Sequence, residues 1–130
     1  MKPKQIIFSA LQLTTQPENF LKKLMQKKLN CVAFDLIMDE SGKFPVIQSM
    51  GEIAGKASIL IASELLSISH NGVGAILGGI SGISPTEVVI IGAGTVGETA
   101  TKAALGLGAT VKIFDFSVSR LRRIQKNVGH

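Results

Sequence analysis

Thr86-Glu87-Val88-Val89-Ile90-Ile91-Gly92-Ala93-Gly94-Thr95-Val96-Gly97 is an apolar run that closes in three spaced glycines. Its β-branched residues read as a strand, and the G-x-G-x-x-G spacing opens a helix directly behind it. A second strand, Thr110-Val111-Lys112-Ile113-Phe114, ends at Asp115, 18 residues past Gly97. Strand, glycine turn, helix, strand and acid in this order form a dinucleotide fingerprint. Gly92 permits the tight turn, Gly94 lets the backbone approach a pyrophosphate, and Gly97 lets the helix pack closely on the strand. Free N–H groups and the helix dipole then hold the phosphates. Asp115 is placed to accept hydrogen bonds from an adenosine ribose. Its carboxylate repels a 2′-phosphate, so NAD(H) is expected over NADP(H), with Arg120 able to temper that preference. A glycine-rich turn that binds nothing is the alternative reading.

A Rossmann domain takes two βαβαβ halves, whereas about 45 residues follow the start of this stretch. They suffice for strand, helix, strand and part of one more helix. The chain therefore reads as a fragment, the first part of a nucleotide domain plus the tail of whatever precedes it.

Composition narrows the class. With 45% hydrophobic and 18% charged residues the chain reads as soluble and globular. The single cysteine, Cys31, has no internal disulfide partner and begins an apolar run, so a buried thiol in a reducing cytosol is expected. The net charge of +5 gathers in Lys22, Lys23, Lys27 and Lys28, the polar face of one helix, and in Arg120, Arg122 and Arg123. No aromatic platform accompanies these groups, so nucleic acid is not an expected partner. No signal peptide is evident after Met1-Lys2-Pro3-Lys4. The stretch Ile53–Ile68 is interrupted by Lys56 and Glu64 and falls short of the roughly 20 apolar residues of a spanning helix. No membrane segment and no metal site are assigned.

Upstream, Gln5–Leu11 reads as a buried strand. Thr15-Gln16-Pro17-Glu18 signals a helix start. Phe20, Leu21, Leu24, Met25 and Leu29 share its apolar face, and Asn30 ends it. Cys31–Ile37 is a second strand, with Asp35 as a strand-end carboxylate or a functional acid. Asp39–Lys43 is a turn, and Phe44–Ile47 is extended. Ser49 with Glu52 suggests a capping box for a helix over residues 50–67. That helix is apolar on most of its circumference and rich in small residues, which suits a core helix or, the favoured reading, a subunit-contact helix. Seven of the 14 glycines fall between Gly72 and Gly94, in a tight irregular loop. His70, just past a helix end, is expected to cap free carbonyls rather than act as a base. Ser117 or Ser119 caps the last helix.

Met50–Lys56, Gly78–Ile83, Val88–Gly97, Ala104–Ala109, Phe114-Asp115 and Arg120-Leu121-Arg122 closely resemble the alanine dehydrogenase family, a relative of the nicotinamide nucleotide transhydrogenase α chain. The likeness is dense from Met50 onward and thinner before it. It implies an α/β fold, a partial Rossmann-type dinucleotide-binding domain preceded by the end of an α/β substrate domain. Residues 1–48 would belong to the substrate domain and 49–84 to the contact helix and glycine-rich loop. Residues 85–130 would form the first half of the NAD domain. The implied activity is a cytoplasmic conversion of L-alanine, NAD and water to pyruvate, ammonia and NADH. The implied assembly is a homo-oligomer, hexameric or dimer-based, formed through the helix at 50–67.

Matching positions place NAD on Gly92, Gly94, Thr95, Val96, Gly97 and Asp115, with Arg120 near the adenosine. Gly51 stands where the family often has a phosphate-contacting Ser, and keeps only the backbone donor. The family's substrate-binding Arg and Lys match positions upstream of this chain. Its catalytic His lies in a Leu-His-Leu, where this chain has Leu11-Gln12-Leu13. Gln12 is therefore the catalytic candidate, although an amide hydrogen-bonds without shuttling a proton. A polar residue satisfying a strand end is its plainer reading. The fragment is expected to be inactive alone. A transhydrogenase-type NAD(H) module and a non-catalytic NAD-binding homologue are the alternatives.

Overall fold

The structure, a computed structural model, describes residues 2–128 and divides into two compact units, Met1–Gln48 and Ser49–His130. The first unit runs β1 (Ile6–Ser9), α1 (Glu18–Gln26), β2 (Asn30–Ala33). The strands are parallel, with Ile6 opposite Asn30 and Ser9 opposite Ala33. Parallel neighbours need a crossover, and α1 provides it.

Pro17 precedes α1 and Glu18 opens it, as the sequence suggests. The helix stops four residues before Asn30, in a Schellman motif. Lys28 takes φ +49°, its N–H bonds Met25 O at 2.9 Å, and Leu29 N–H bonds Leu24 O at 3.2 Å. Leu24 is buried, but Met25, expected beside it, is 76% exposed. The run 31–37 is not one strand: β2 ends at Ala33 and Phe34–Leu36 forms a 3-10 turn. This turn presents Asp35 to the end of β1, where its two oxygens accept Leu11 N–H and Gln12 N–H at 3.1 and 3.0 Å. Asp35 is thus a structural strand-end carboxylate. Cys31, expected to be buried, is exposed, because β2 shields little of its own surface.

The second unit holds most of α2 (Pro45–Leu66), then a loop, β3 (Glu87–Ile91), α3 (Thr95–Gly106), β4 (Thr110–Phe114) and α4 (Val118–Val128). α2 begins at Pro45, not near Met50. Proline suits a helix's first position, where its missing N–H costs nothing. Ser49 and Glu52 therefore lie inside the helix rather than at its cap. Parallel β3 and β4 pair from Glu87–Thr110 to Ile91–Phe114.

The core of this unit joins Ile59 and Leu77 to Ala100, Ala104 and Ala109, with Val88, Ile90 and Val111 packed against them. Small side chains bring α2 and α3 close together. A Cβ on Gly55 would sit 2.5 Å from Val96 O and 2.8 Å from Thr99 Cβ. The small-residue face of α2 is therefore used within the unit. The favoured contact-helix reading is left to its other face, where Ile53, Leu60, Ile61 and Leu65 are exposed. The sheet also has an open face, with Val89, Ile91 and Phe114 exposed. No helix among the described residues is long and apolar enough to cross a membrane.

Candidate functional site

The glycine turn leaves β3 at Gly92, whose N–H still bonds Phe114 O at 2.7 Å while its φ swings to +107°. Only glycine takes that conformation without strain. Gly94 is the cap residue of α3, and no side chain caps the helix. A Cβ on either Gly92 or Gly94 would meet nothing within 4 Å, so both open onto free space. Gly97 is the reverse case: its Cβ would overlap the Gly92 carbonyl oxygen. The turn closes on itself at Gly97 and stays open at Gly92 and Gly94, a shape that admits a phosphate to the N–H groups of Thr95, Val96 and Gly97.

Ala93, between these glycines, is fully buried. Its N–H donates to Asp115 Oδ2 at 2.6 Å, and its carbonyl accepts from Arg123 Nη2 at 3.2 Å. Asp115 Oδ1 accepts Ser117 N–H at 2.7 Å. The Ala93 and Ser117 N–H groups, with the Arg120 charge, hold the Asp115 carboxyl below the usual carboxylate range against the opposing effect of burial. Arg120 Nη1 stands 3.8 Å from Asp115 Oδ2. The acid expected to meet a ribose is thus also a brace for the turn. Each of its oxygens keeps a second lone pair for a hydroxyl.

A cleft of ≈ 370 Å³ lies at the carboxyl ends of β3 and β4, lined by Ile91, Gly92, Phe114, Asp115, Phe116 and Leu121. Parallel α/β sheets bind ligands at that end. Gly51 lies against the first residues of α3. A Cβ there would lie 3.4 Å from Thr95 Cγ2 and 3.5 Å from Val96 Cγ2. However, Gly51 is interior to α2, so its N–H is committed to the helix ladder. The expectation that it offers a backbone donor is therefore corrected, and what it offers is clearance beside the start of α3.

Gln12 lies in the first unit, at the exit of β1, exposed and at φ +45°. His70 caps no carbonyl through its ring. Its Nε2 lies 3.0 Å from Glu64 Oε1 and its Nδ1 3.2 Å from Ser69 Oγ. Ser117, not Ser119, caps α4, its Oγ accepting Arg120 N–H at 3.4 Å.

The sequence does not single out Glu98. Its oxygens take Lys102 Nζ at 3.0 Å, Asn127 Nδ2 at 3.1 Å and Arg123 Nε at 3.3 Å. Burial pushes its carboxyl up, but the hydrogen bonds from Lys102 and Asn127 and the charges of Lys102 and Arg123 outweigh that and lower it. The Glu98–Lys102 spacing is the one local signal that pointed here.

The family profile "Alanine dehydrogenase/PNT, C-terminal domain" matches residues 58–130. The alanine dehydrogenase of Methanococcus maripaludis is 37% identical over 129 residues, 99% of this chain and 34% of that protein. That of Bacillus subtilis is 35% identical over 125 residues, 96% of this chain and 32% of that protein. A solved L-alanine dehydrogenase superposes with a TM-score of 0.85 at 35% identity, over 99% of this chain and 36% of that one. The chain spans about a third of the length of the relatives it matches.

Proposed function

The chain belongs to the alanine dehydrogenase/PNT family, and from that premise we propose that its second unit holds NAD(H) as part of an NAD-dependent alanine dehydrogenase. The observation that carries this is the glycine turn, closed at Gly97, open at Gly92 and Gly94, and braced by Asp115. Open space at the two outer glycines and an uncapped α3 fit a pyrophosphate. NAD held there would supply the hydride acceptor for oxidation of L-alanine at C2, with water releasing pyruvate and ammonia.

The chain's own residues bind and orient. Thr95, Val96 and Gly97 offer N–H groups to phosphate, Gly51 gives clearance beside them, and Asp115 accepts a ribose hydroxyl. Arg120 tempers the Asp115 charge, and Leu121 and Phe116 wall the cleft. Gln12 offers an amide to a carbonyl or water, and the proton is carried by another group.

Residues 1–48 form the end of a substrate domain, 49–84 the contact helix and loop, and 85–130 the first half of the NAD domain. Self-association runs through the exposed face of α2, in a cytoplasmic homo-oligomer, and the isolated chain is inactive.

The test is NADH oxidation with pyruvate and ammonium by the protein that carries this chain in its full family length. Turnover supports the dehydrogenase. NADH binding without turnover on any keto acid favours the second reading, a transhydrogenase-type or non-catalytic NAD(H) module, for which Gln12 in the Leu11-Gln12-Leu13 position is the argument.

A further inference from the structure

We propose that Arg123, oriented by Glu98, is a positioning residue that holds the glycine turn in its phosphate-accepting shape. This rests on the reading of that turn as a dinucleotide cradle. Ala93 is the midpoint of Gly92-Ala93-Gly94 and is fully buried, so its backbone N–H and carbonyl both need partners. Asp115 satisfies the N–H and Arg123 satisfies the carbonyl. Asp115 thus holds the Gly92–Ala93 peptide plane and Arg123 the Ala93–Gly94 plane, and together they set the directions in which the flanking glycines open.

The guanidinium reaches the carbonyl because its other arm is anchored. Nε lies 3.3 Å from Glu98 Oε2, while Nη2 lies 3.2 Å from Ala93 O. Glu98 is itself held by Lys102 and Asn127, so the chain of contacts runs from α4 through the first turn of α3 to the turn. Only a planar fork spans two acceptors in this way, and an ammonium keeps the charge but not the spread. The charge balance fits the same role. Glu98 alone would set a carboxylate one turn from a bound pyrophosphate. Lys102 and Arg123 convert the cluster to a net positive one.

The test uses the chain as it stands, with R123K, R123M and E98Q. NADH binding is followed by nicotinamide fluorescence, and amide hydrogen exchange by NMR. In R123M, NADH binding weakens about tenfold, and the hydrogen-bonded amides of Gly92 and Ala93 exchange faster while Ala103 and Ala104 inside α3 do not. R123K falls between wild type and R123M, and E98Q moves the same turn amides. Wild-type exchange at the turn in both R123K and E98Q overturns the proposal, also where R123M fails to fold. Acceleration spread evenly over α3 and α4 overturns it too, since that marks general loosening. If the wild-type chain binds no NADH, the cofactor reading fails for this chain, and the exchange comparison alone decides the role of Arg123.

Discussion

Asp115 is ionised by its surroundings, since the Ala93 and Ser117 N–H groups and Arg120 all favour its charged form. The sign of the pH effect follows. Its carboxyl is lowered on folding, so its stabilisation is complete above the unfolded carboxylate value of about 4 and is lost as pH falls through the lower folded value. The D115N variant should therefore be less stable than wild type at neutral pH. The gap between their urea midpoints should close below about pH 4. A gap that persists unchanged at low pH would show that the charge is not what braces the turn. This residue also shows what sequence can disclose. The offset from Gly97 located the acid, because strand and helix lengths are local. That it braces the turn depended on where the Ala93 N–H points. Glu98 and Arg123 were harder still, since their meeting requires α3 and α4 to be placed first.

At the scale of elements, α1 and α3 end in the same motif with different residues. Gly108 fills the left-handed position after α3 at φ +82°, with Ala109 N–H bonded to Ala104 O at 3.1 Å. Lys28 fills it after α1. A side chain in that conformation costs about 1 kcal/mol, so K28G should raise stability by about that much, read as a higher denaturant midpoint. At Gly55 the direction reverses. The backbone of α3 stands where a methyl group would go. G55A should lower stability by about 1–3 kcal/mol despite alanine's better helix propensity, and an unchanged melting temperature would refute the close crossing. The elements themselves were legible wherever pattern and caps were local, as at Pro17, Gly92 and Ser117. They were misread where one residue supports two readings. Pro45 signals both an extended predecessor and a helix start, and the run 31–37 keeps its apolar character while its backbone turns at Phe34.

At the scale of the whole molecule, apolar surface remains uncovered. A parallel sheet is normally sheltered on both faces, yet Val89, Ile91 and Phe114 are exposed, as are Ile53 and Leu60 on α2. The chain should self-associate. Sedimentation velocity should show species above the monomer, shifted toward monomer by I53K combined with L60K and not by a lysine replacing an exposed polar residue. Wild type that is monomeric at high concentration would remove α2 as a contact helix. The α/β class was readable from two strand–helix–strand patterns. Which face of α2 turns inward was not, because both faces are apolar and only the close approach at Gly55 distinguishes them.

Cys31 gives the first unit a chemical handle. The thiol is the chain's only one, it is exposed, and it sits on β2 opposite Ile7 rather than in the unit that carries the glycine turn. A maleimide dye can therefore be installed at one defined position on the native chain, without engineering any other residue. The same exposure makes the thiol a route to covalent dimers under air oxidation, so reductant belongs in any preparation whose association state is being read.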